Sequence, residues 1–286
     1  MPSLIDIRRR IRSVKNTQQI TKAMKMVSAA KLRRAQDRVI ASRPYAALLR
    51  KVLGNVAAAV ASDELPAQNP LLARRQENRI LLVLITADKG LAGAFNSYLI
   101  KSAQRFSAEH GGAVVTLELI GRKGRDFFRK RGAKISGEQV GLAAKPAHGD
   151  MAAIARKAME MFRNEEIDAV YLLYNEFKSA ASQKLTVARI LPAELPEQAN
   201  PVDYIFEQPP AEMLDDLLPR YVETEFYRAL LESSAAEHAA RMTAMDAATS
   251  NAADMIERLT LYMNRVRQAS ITKEIIEVVS GASAAE

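Results

Sequence analysis

The chain of 286 residues contains no cysteine and no tryptophan. Without cysteine there is no disulfide, no zinc–thiolate site and no thiol catalysis, and a reducing compartment fits. Long apolar runs are missing as well. The longest, such as Ile80 to Ile85, fall far short of the ~20 residues a membrane span needs, and Met1 to Asp6 hold no apolar signal core. The three histidines, His110, His148 and His238, lie at no metal-ligand spacing, and no serine sits in a nucleophile elbow. No catalytic constellation is visible and no cofactor is expected. Neither Gly nor Pro occurs from Arg220 to Ser280, which leaves nothing to interrupt a helix there. At ~1.5 Å per residue that run is roughly 90 Å long.

The charge that is present is unevenly placed. Residues 1–51 carry 14 Lys/Arg against Asp6 and Asp37, a net +12, so the net +8 of the whole chain leaves −4 for the remainder. A basic excess confined to the first helix suits nucleic acid, an anionic membrane or an acidic protein surface. Single-strand binders interleave aromatics among their cations, yet the first aromatic here is Tyr45. A basic zipper needs a parallel partner strand, whereas this chain supplies its own antiparallel one. An acidic protein surface is therefore the better target.

Two helix-forming stretches flank an α/β pattern. In the last stretch His238, Met242, Met245, Thr249, Ala252, Ile256, Leu259, Met263 and Val266 step alternately by four and three, the rhythm of a helix that meets another helix. Residues 4–61 read as one helix with Ile7, Ile11 and Val14, then Ile20, Met24 and Val27, then Tyr45, Leu49, Val52, Val56 and Val60. The phase slips between Val14 and Ile20, and Pro44 removes one helical hydrogen bond. Ala23, Ala29, Ala30 and Ala35 allow a partner helix to come close. Between the rods, strands are expected at 79–86, 113–120, 133–140, 169–174 and 184–191, with helices at 92–110, 123–130 and 151–163. This alternation implies a mostly parallel sheet with helices on both faces. The expected organisation is an N-terminal coiled-coil helix over 1–61, a linker over 62–78, a central domain over 79–210 and a C-terminal coiled-coil helix over 211–286. The rods would pair as an antiparallel hairpin.

Thr86-Ala87-Asp88-Lys89-Gly90-Leu91-Ala92-Gly93 follows a strand and opens a helix. Such a turn can hold phosphate, but its spacing matches neither the P-loop nor the dinucleotide fingerprint. It reads as an ordinary strand-to-helix turn. At the far end Ile271, Ile275, Ile276, Val278 and Val279 are apolar on more than one side, a pattern that is normally buried.

Ile271-Thr272-Lys273-Glu274-Ile275-Ile276-Glu277-Val278-Val279-Ser280-Gly281-Ala282-Ser283-Ala284 resembles the C-terminal signature of the gamma subunit of rotary proton-driven ATP synthases. That pattern is Ile/Val-Thr-x-Glu, an acid three residues on, then Gly-Ala-x-small. Ile11 to Val27, Thr86 to Asn96 and Ala239 to Thr249 look the same, so the resemblance covers nearly the whole chain. It implies a mixed α+β fold: a long antiparallel α-helical coiled coil of the N- and C-terminal segments with a central Rossmann-like α/β domain. It also implies a non-catalytic central stalk, or rotor, turning inside a ring of three alpha and three beta subunits, with the epsilon subunit and the membrane c-ring at its foot. Neither nucleic acid nor a transmembrane segment belongs to that picture.

Carried over by resemblance, Met24, Lys22, Lys25, Arg33, Arg267 and Gln268 contact beta. Ile271, Ile275, Ile276 and Val279 form a tip held in an apolar sleeve, and Tyr204 and Glu207 face the c-ring and epsilon. Pro219 departs from the family, which usually continues its helix there with a charged residue. The chain lacks the cysteine-containing insertion of the chloroplast form, and no mitochondrial presequence precedes the first helix. A bacterial protein on the cytoplasmic face of the cell (inner) membrane, peripherally held, is the expectation. The rival reading is a nucleic-acid-binding coiled-coil protein with an α/β regulatory domain.

Overall fold

The computed structural model describes residues 3–60, 69–144, 146–180, 182–194 and 208–283. Its elements are α1 (Leu4–Val60), a 3-10 turn (Pro70–Leu72), β1 (Arg79–Ile85), α2 (Phe95–Glu109), β2 (Val114–Ile120), α3 (Arg122–Arg129), β3 (Ile135–Gln139), α4 (His148–Arg163), β4 (Ala169–Phe177), β5 (Gln183–Leu191) and α5 (Pro210–Ser283). Contacts gather into two compact units, Met1–Ser28 with Met242–Glu286, and Ala29–Arg241.

The second unit holds a five-stranded sheet in the order β3-β2-β1-β4-β5. Four strands run parallel and β5 returns antiparallel to β4. β1 is central and buried on both faces, which its unbroken apolar run anticipates. Leu81, Val83 and Ile85 share a core with Leu53, Val56 and Val60 of α1, Met151, Ala155 and Phe162 of α4, and Leu218, Val222 and Phe226 of α5. β5 exposes Lys184, Val187 and Arg189 among half-buried neighbours and buries Ile190 and Leu191 at its end, as an edge strand with one solvated face does. Asp168 ties the start of β4 to β1: its carboxylate accepts from the Arg79 guanidinium at 2.8 Å and from the Arg79 backbone N–H at 2.8 Å. The guanidinium first, and the backbone bonds with it, hold the Asp168 carboxyl below the usual range.

The seam of α1 corrects the expected phase slip. In the first unit a covered line runs through Ile7, Ile11, Val14, Gln18, Thr21, Lys25 and Ser28, with Met24 and Ala29 half-buried beside it; in the second it continues through Leu32, Ala35, Val39, Ser42, Ala46, Leu49, Leu53, Val56 and Val60. Steps of four and three alternate without a break. Ile20, Val27 and Tyr45 are exposed instead, because polar or small residues occupy the seam beside them. Of the four small residues expected at close approach, Ala35 is buried and Ala29 half-buried, while Ala23 and Ala30 face out. On α5 the covered positions Met242, Met245, Thr249, Ala252, Ile256, Leu259, Met263 and Val266 are those the spacing predicts, and Ser270 continues them. Pro44 and Pro219 both lie inside helices that run on past them.

Pairing within each unit is antiparallel. In the first, Thr249 and Thr21 hydroxyls meet at 2.8 Å and Lys25 pairs with Asp246 at 2.5 Å, so the chain descends on α5 as it climbs on α1. In the second, Arg50 meets Glu225 at 3.0 Å. Gly121, between β2 and α3, has φ 95° and its backbone lies against Thr86, where a Cβ would come within 2.1 Å of the Thr86 carbonyl oxygen. A side chain there meets both a disfavoured conformation and immovable backbone. Gly121→Ala is expected to destabilise the chain by roughly 3 kcal/mol or more in urea unfolding; a midpoint like the parent's would refute the close approach.

Candidate functional site

Open α/β sheets hold their ligands outside the carboxyl ends of the strands, where the strand order reverses. Here the reversal falls between β1 and β4, and the turn after β1 is bonded to the segments that follow β2 and β3. Asp88 accepts from the N–H of Arg122, the first residue of α3, and from that of Gly141, both at 3.0 Å. Its carboxylate thus caps the N-terminus of α3, the helix that follows β2. Thr86 Oγ1 donates to the Ile120 carbonyl at 3.0 Å and accepts from the Gly124 N–H at 2.9 Å. Asn96 Oδ1 accepts from Ala87 N–H at 2.9 Å. The turn is an internally bonded strand-to-helix connection, as its spacing indicated.

α5 crosses these strand ends with a row of buried polar side chains. Glu232 accepts from the Phe177 N–H at 3.0 Å, Ser234 donates to the Ala143 carbonyl at 2.9 Å, and Ser233 reaches the Ile85 carbonyl at 3.5 Å. Two turns past Ser234, the Arg241 guanidinium donates to the Gly90 carbonyl at 3.2 Å, the Lys89 carbonyl at 3.4 Å and the Glu237 carboxylate at 2.6 Å. Burial pushes the Glu232 and Glu237 carboxyls up from the ordinary range, while Arg241 pulls Glu237 back. His238 Nδ1 lies 3.4 Å from Arg241. Burial first, then Arg241 and Lys31, push the imidazole down to about 4. His238 is thus a packed, neutral acceptor, in line with its seam position. This row was not singled out from sequence, although Glu237 and Arg241 stand four apart, the spacing of an ion pair on one helix face.

The paired helices of the first unit carry most of the residues named by resemblance. Lys22 is exposed and Met24 half-buried. Lys25 sits on the seam, with its side chain 41% exposed against 59% for Asp246, so the pair is solvent-screened and contributes ~1 kcal/mol at most. Arg267 and Gln268 are exposed, just past half-buried Val266, and point away from the seam. By the offset of the Thr21–Thr249 and Lys25–Asp246 pairs, Leu4 is level with about Val266. α5 continues to Ser283. Ile271, Ile275, Ile276, Val278 and Val279 are 47–72% exposed. Arg33, in the second unit, is exposed. Tyr204 and Glu207 lie outside the described residues. Among the described residues no helix is long and apolar enough to cross a membrane.

A family profile described as ATP synthase matches residues 3–285. The chain is 80% identical to an ATP synthase gamma chain of Solibacter usitatus over the whole of both chains. It is 52% identical to one of Pelotomaculum thermopropionicum over the full length of each. Among solved structures, a central stalk and c-ring chain of the Tetrahymena thermophila mitochondrial ATP synthase aligns with TM-score 0.60 and 26% identity, over 80% of this chain and 99% of that one. A chain of the Euglena gracilis mitochondrial enzyme aligns with TM-score 0.67 over 98% of this chain and 94% of that one, at 20% identity, which speaks to fold. These relatives give the nucleic-acid reading no support.

The His238 environment sets a pH dependence. The unfolded imidazole binds a proton near 6.5 and the folded one only near 4, so stability falls as pH drops through that window. Glu232 and Glu237 oppose this, because their protonation relieves buried charge. Comparing His238→Gln with the parent isolates the histidine. The variant is expected to lose roughly 1–2 kcal/mol less than the parent between pH 7 and 5 in denaturant unfolding; identical slopes would refute the assignment.

Proposed function

The chain belongs to the gamma-chain family of the ATP synthases, and from that premise we propose that its work is mechanical. It is a non-catalytic central-stalk subunit that carries torque between the membrane c-ring and the catalytic ring of three alpha and three beta subunits. The observation that carries this reading is the end of α5. Its apolar residues from Ile271 to Val279 stand exposed beyond the level where α1 begins. Four or five such side chains, each worth roughly 1.5–3 kcal/mol when covered, call for a surrounding apolar sleeve. A shaft that turns inside a ring must also be slim, and the short side chains of Thr21, Ser28 and Ala252 keep the paired helices close at their seam.

Arg267 and Gln268 serve as a polar grip on a loop of beta. Arg267 offers a planar fork of donors and Gln268 both a donor and an acceptor. Exposed hydrogen bonds can form and break each turn, whereas a buried ion pair would be costly to break. Met24, Lys22, Lys25 and Arg33 face acidic parts of beta. Tyr204 and Glu207 belong to the foot that meets the c-ring and epsilon. Functional division of the chain follows residues 1–61, 62–78, 79–210 and 211–286, which the end of α1 and the starts of β1 and α5 support. The complex sits on the cytoplasmic face of a bacterial cell membrane, held there through its partners.

Reconstitution with the catalytic ring and the membrane sector tests the reading. Arg267→Leu is expected to lower coupled turnover about tenfold while the assembled complex keeps its thermal midpoint. Normal ATPase and proton-pumping rates would exclude the grip, and a large stability loss at unchanged turnover would make Arg267 structural.

The charges give a separate expectation. Lys22→Gln with Arg33→Gln should weaken assembly several-fold at low salt and little at high salt. Adding Lys25→Gln should weaken it further, with Asp246→Asn as the control for the lost internal pair. Assembly that is indifferent to salt across these variants would leave the basic face merely solvated.

A further inference from the structure

The turn after β1 is fastened from three directions. Asp88 ties it to the start of α3 and to Gly141, and Thr86 ties it to Gly124. Arg241 ties it to α5. We propose that Arg241 is the positioning residue that gears the sheet to α5, holding the Lys89–Gly90 carbonyls so that a torque on the α/β domain reaches the helix without slip. The proposal rests on the mechanical reading above.

The chemistry of the clamp favours this role. Arginine has five donors in a rigid plane and no acceptor, and every partner here suits it: the Gly90 carbonyl at two nitrogens, the Lys89 carbonyl, the Glu237 carboxylate and the His238 Nδ1. Two of these partners are backbone, which cannot rotate away as a side chain can. Both charges of the Arg241–Glu237 pair are only 10% exposed, so salt screens the pair weakly. Closed by the chain's own groups, this place makes helix and strand ends move together, which is what a lever needs. Lysine could reach one carbonyl but could not bridge the turn and Glu237 in one plane.

The test uses the assembled complex in proteoliposomes, with ATP hydrolysis and ATP-driven proton pumping read from one preparation. Arg241→Gln is expected to lower protons pumped per ATP by at least about twofold while hydrolysis changes less. Arg241→Lys, which keeps the charge and loses the fork, should fall between. Arg241→Gln strands a buried carboxylate, so the double variant Glu237→Gln with Arg241→Gln is made as well. It should show the same loss of coupling with the thermal midpoint recovered. Amide exchange of the full chain across residues 86–96 should quicken about tenfold in both variants. Unchanged pumping per ATP in the double variant overturns the proposal and leaves the mechanical reading standing. So does a loss of pumping and hydrolysis in parallel that tracks only the amount of assembled complex. A parent subunit that restores no pumping at all refutes the mechanical reading, and the gearing with it.

Discussion

A helix with an apolar stripe needs a second surface to cover it, and α1 and α5 come from opposite ends of the sequence. Each can cover the other only if the chain between them returns to where it left. That constraint explains why the sheet is inserted between the rods and why α1 and α5 both enter its core. Leu53, Val56 and Val60 arrive from one side of the sequence, Leu214, Leu218, Val222 and Phe226 from the other, and they share one cluster with Leu81, Val83 and Ile85. The sheet is thus packed against both rods through ordinary apolar burial, the dominant favourable term in folding. Hydrogen bonds from α5 to the strand ends add direction to what burial alone would leave unspecific.

Much of this was legible in the residues, for identifiable reasons. The α5 seam was read correctly because its positions are mostly Met, Ile, Leu and Val, so hydrophobicity and burial coincide. On α1 the expected stripe departs from the covered line between Val14 and Leu49 at Ile20, Val27 and Tyr45, though not at half-buried Met24, because there the covered positions include Gln18, Thr21, Lys25, Ser28, Ser42 and Ala46. Apolar periodicity cannot find a seam made of small and polar residues; the true signal was an unbroken four–three count carried through them from Ile11. The strands were found because β1 is buried on both faces and reads as continuous Ile, Leu and Val. The grip of Glu232, Ser233, Ser234, Glu237 and Arg241 was invisible for another reason. Outside α5 its partners are the carbonyls of 85, 89, 90 and 143 and the N–H of 177, and a backbone group leaves no mark in a sequence.

Fold and function separate cleanly at the strand ends. The order β3-β2-β1-β4 creates the reversal at which other sheets bind nucleotides, yet the same geometry here presents Asp88 to the helix terminus and an arginine to the turn's carbonyls. An internal carboxylate satisfies the positive end of α3 as a phosphate would. Strand order alone therefore does not decide what this turn does; its side chains have to be read.

The two stretches of α1 differ in what they bury, and the difference follows from what each must do. Leu32, Val39, Leu49, Leu53, Val56 and Val60 are each buried to within a few per cent, and at roughly 25 cal/mol per Å² such side chains fix a helix in place. Gln18, Thr21, Lys25 and Ser28 bury far less apolar area, and their hydroxyl and ion-pair contacts across to Thr249 and Asp246 are each worth ~1 kcal/mol or less. Pairing through that stretch is correspondingly modest, while the outward residues Ile20, Met26, Val27, Met255 and Leu261 remain exposed. A rod that had to stand alone would turn those side chains inward. One that works inside a partner can leave them on its surface, where contacts of moderate strength are made and broken in turn, and keep its firm burial where the sheet must not slip.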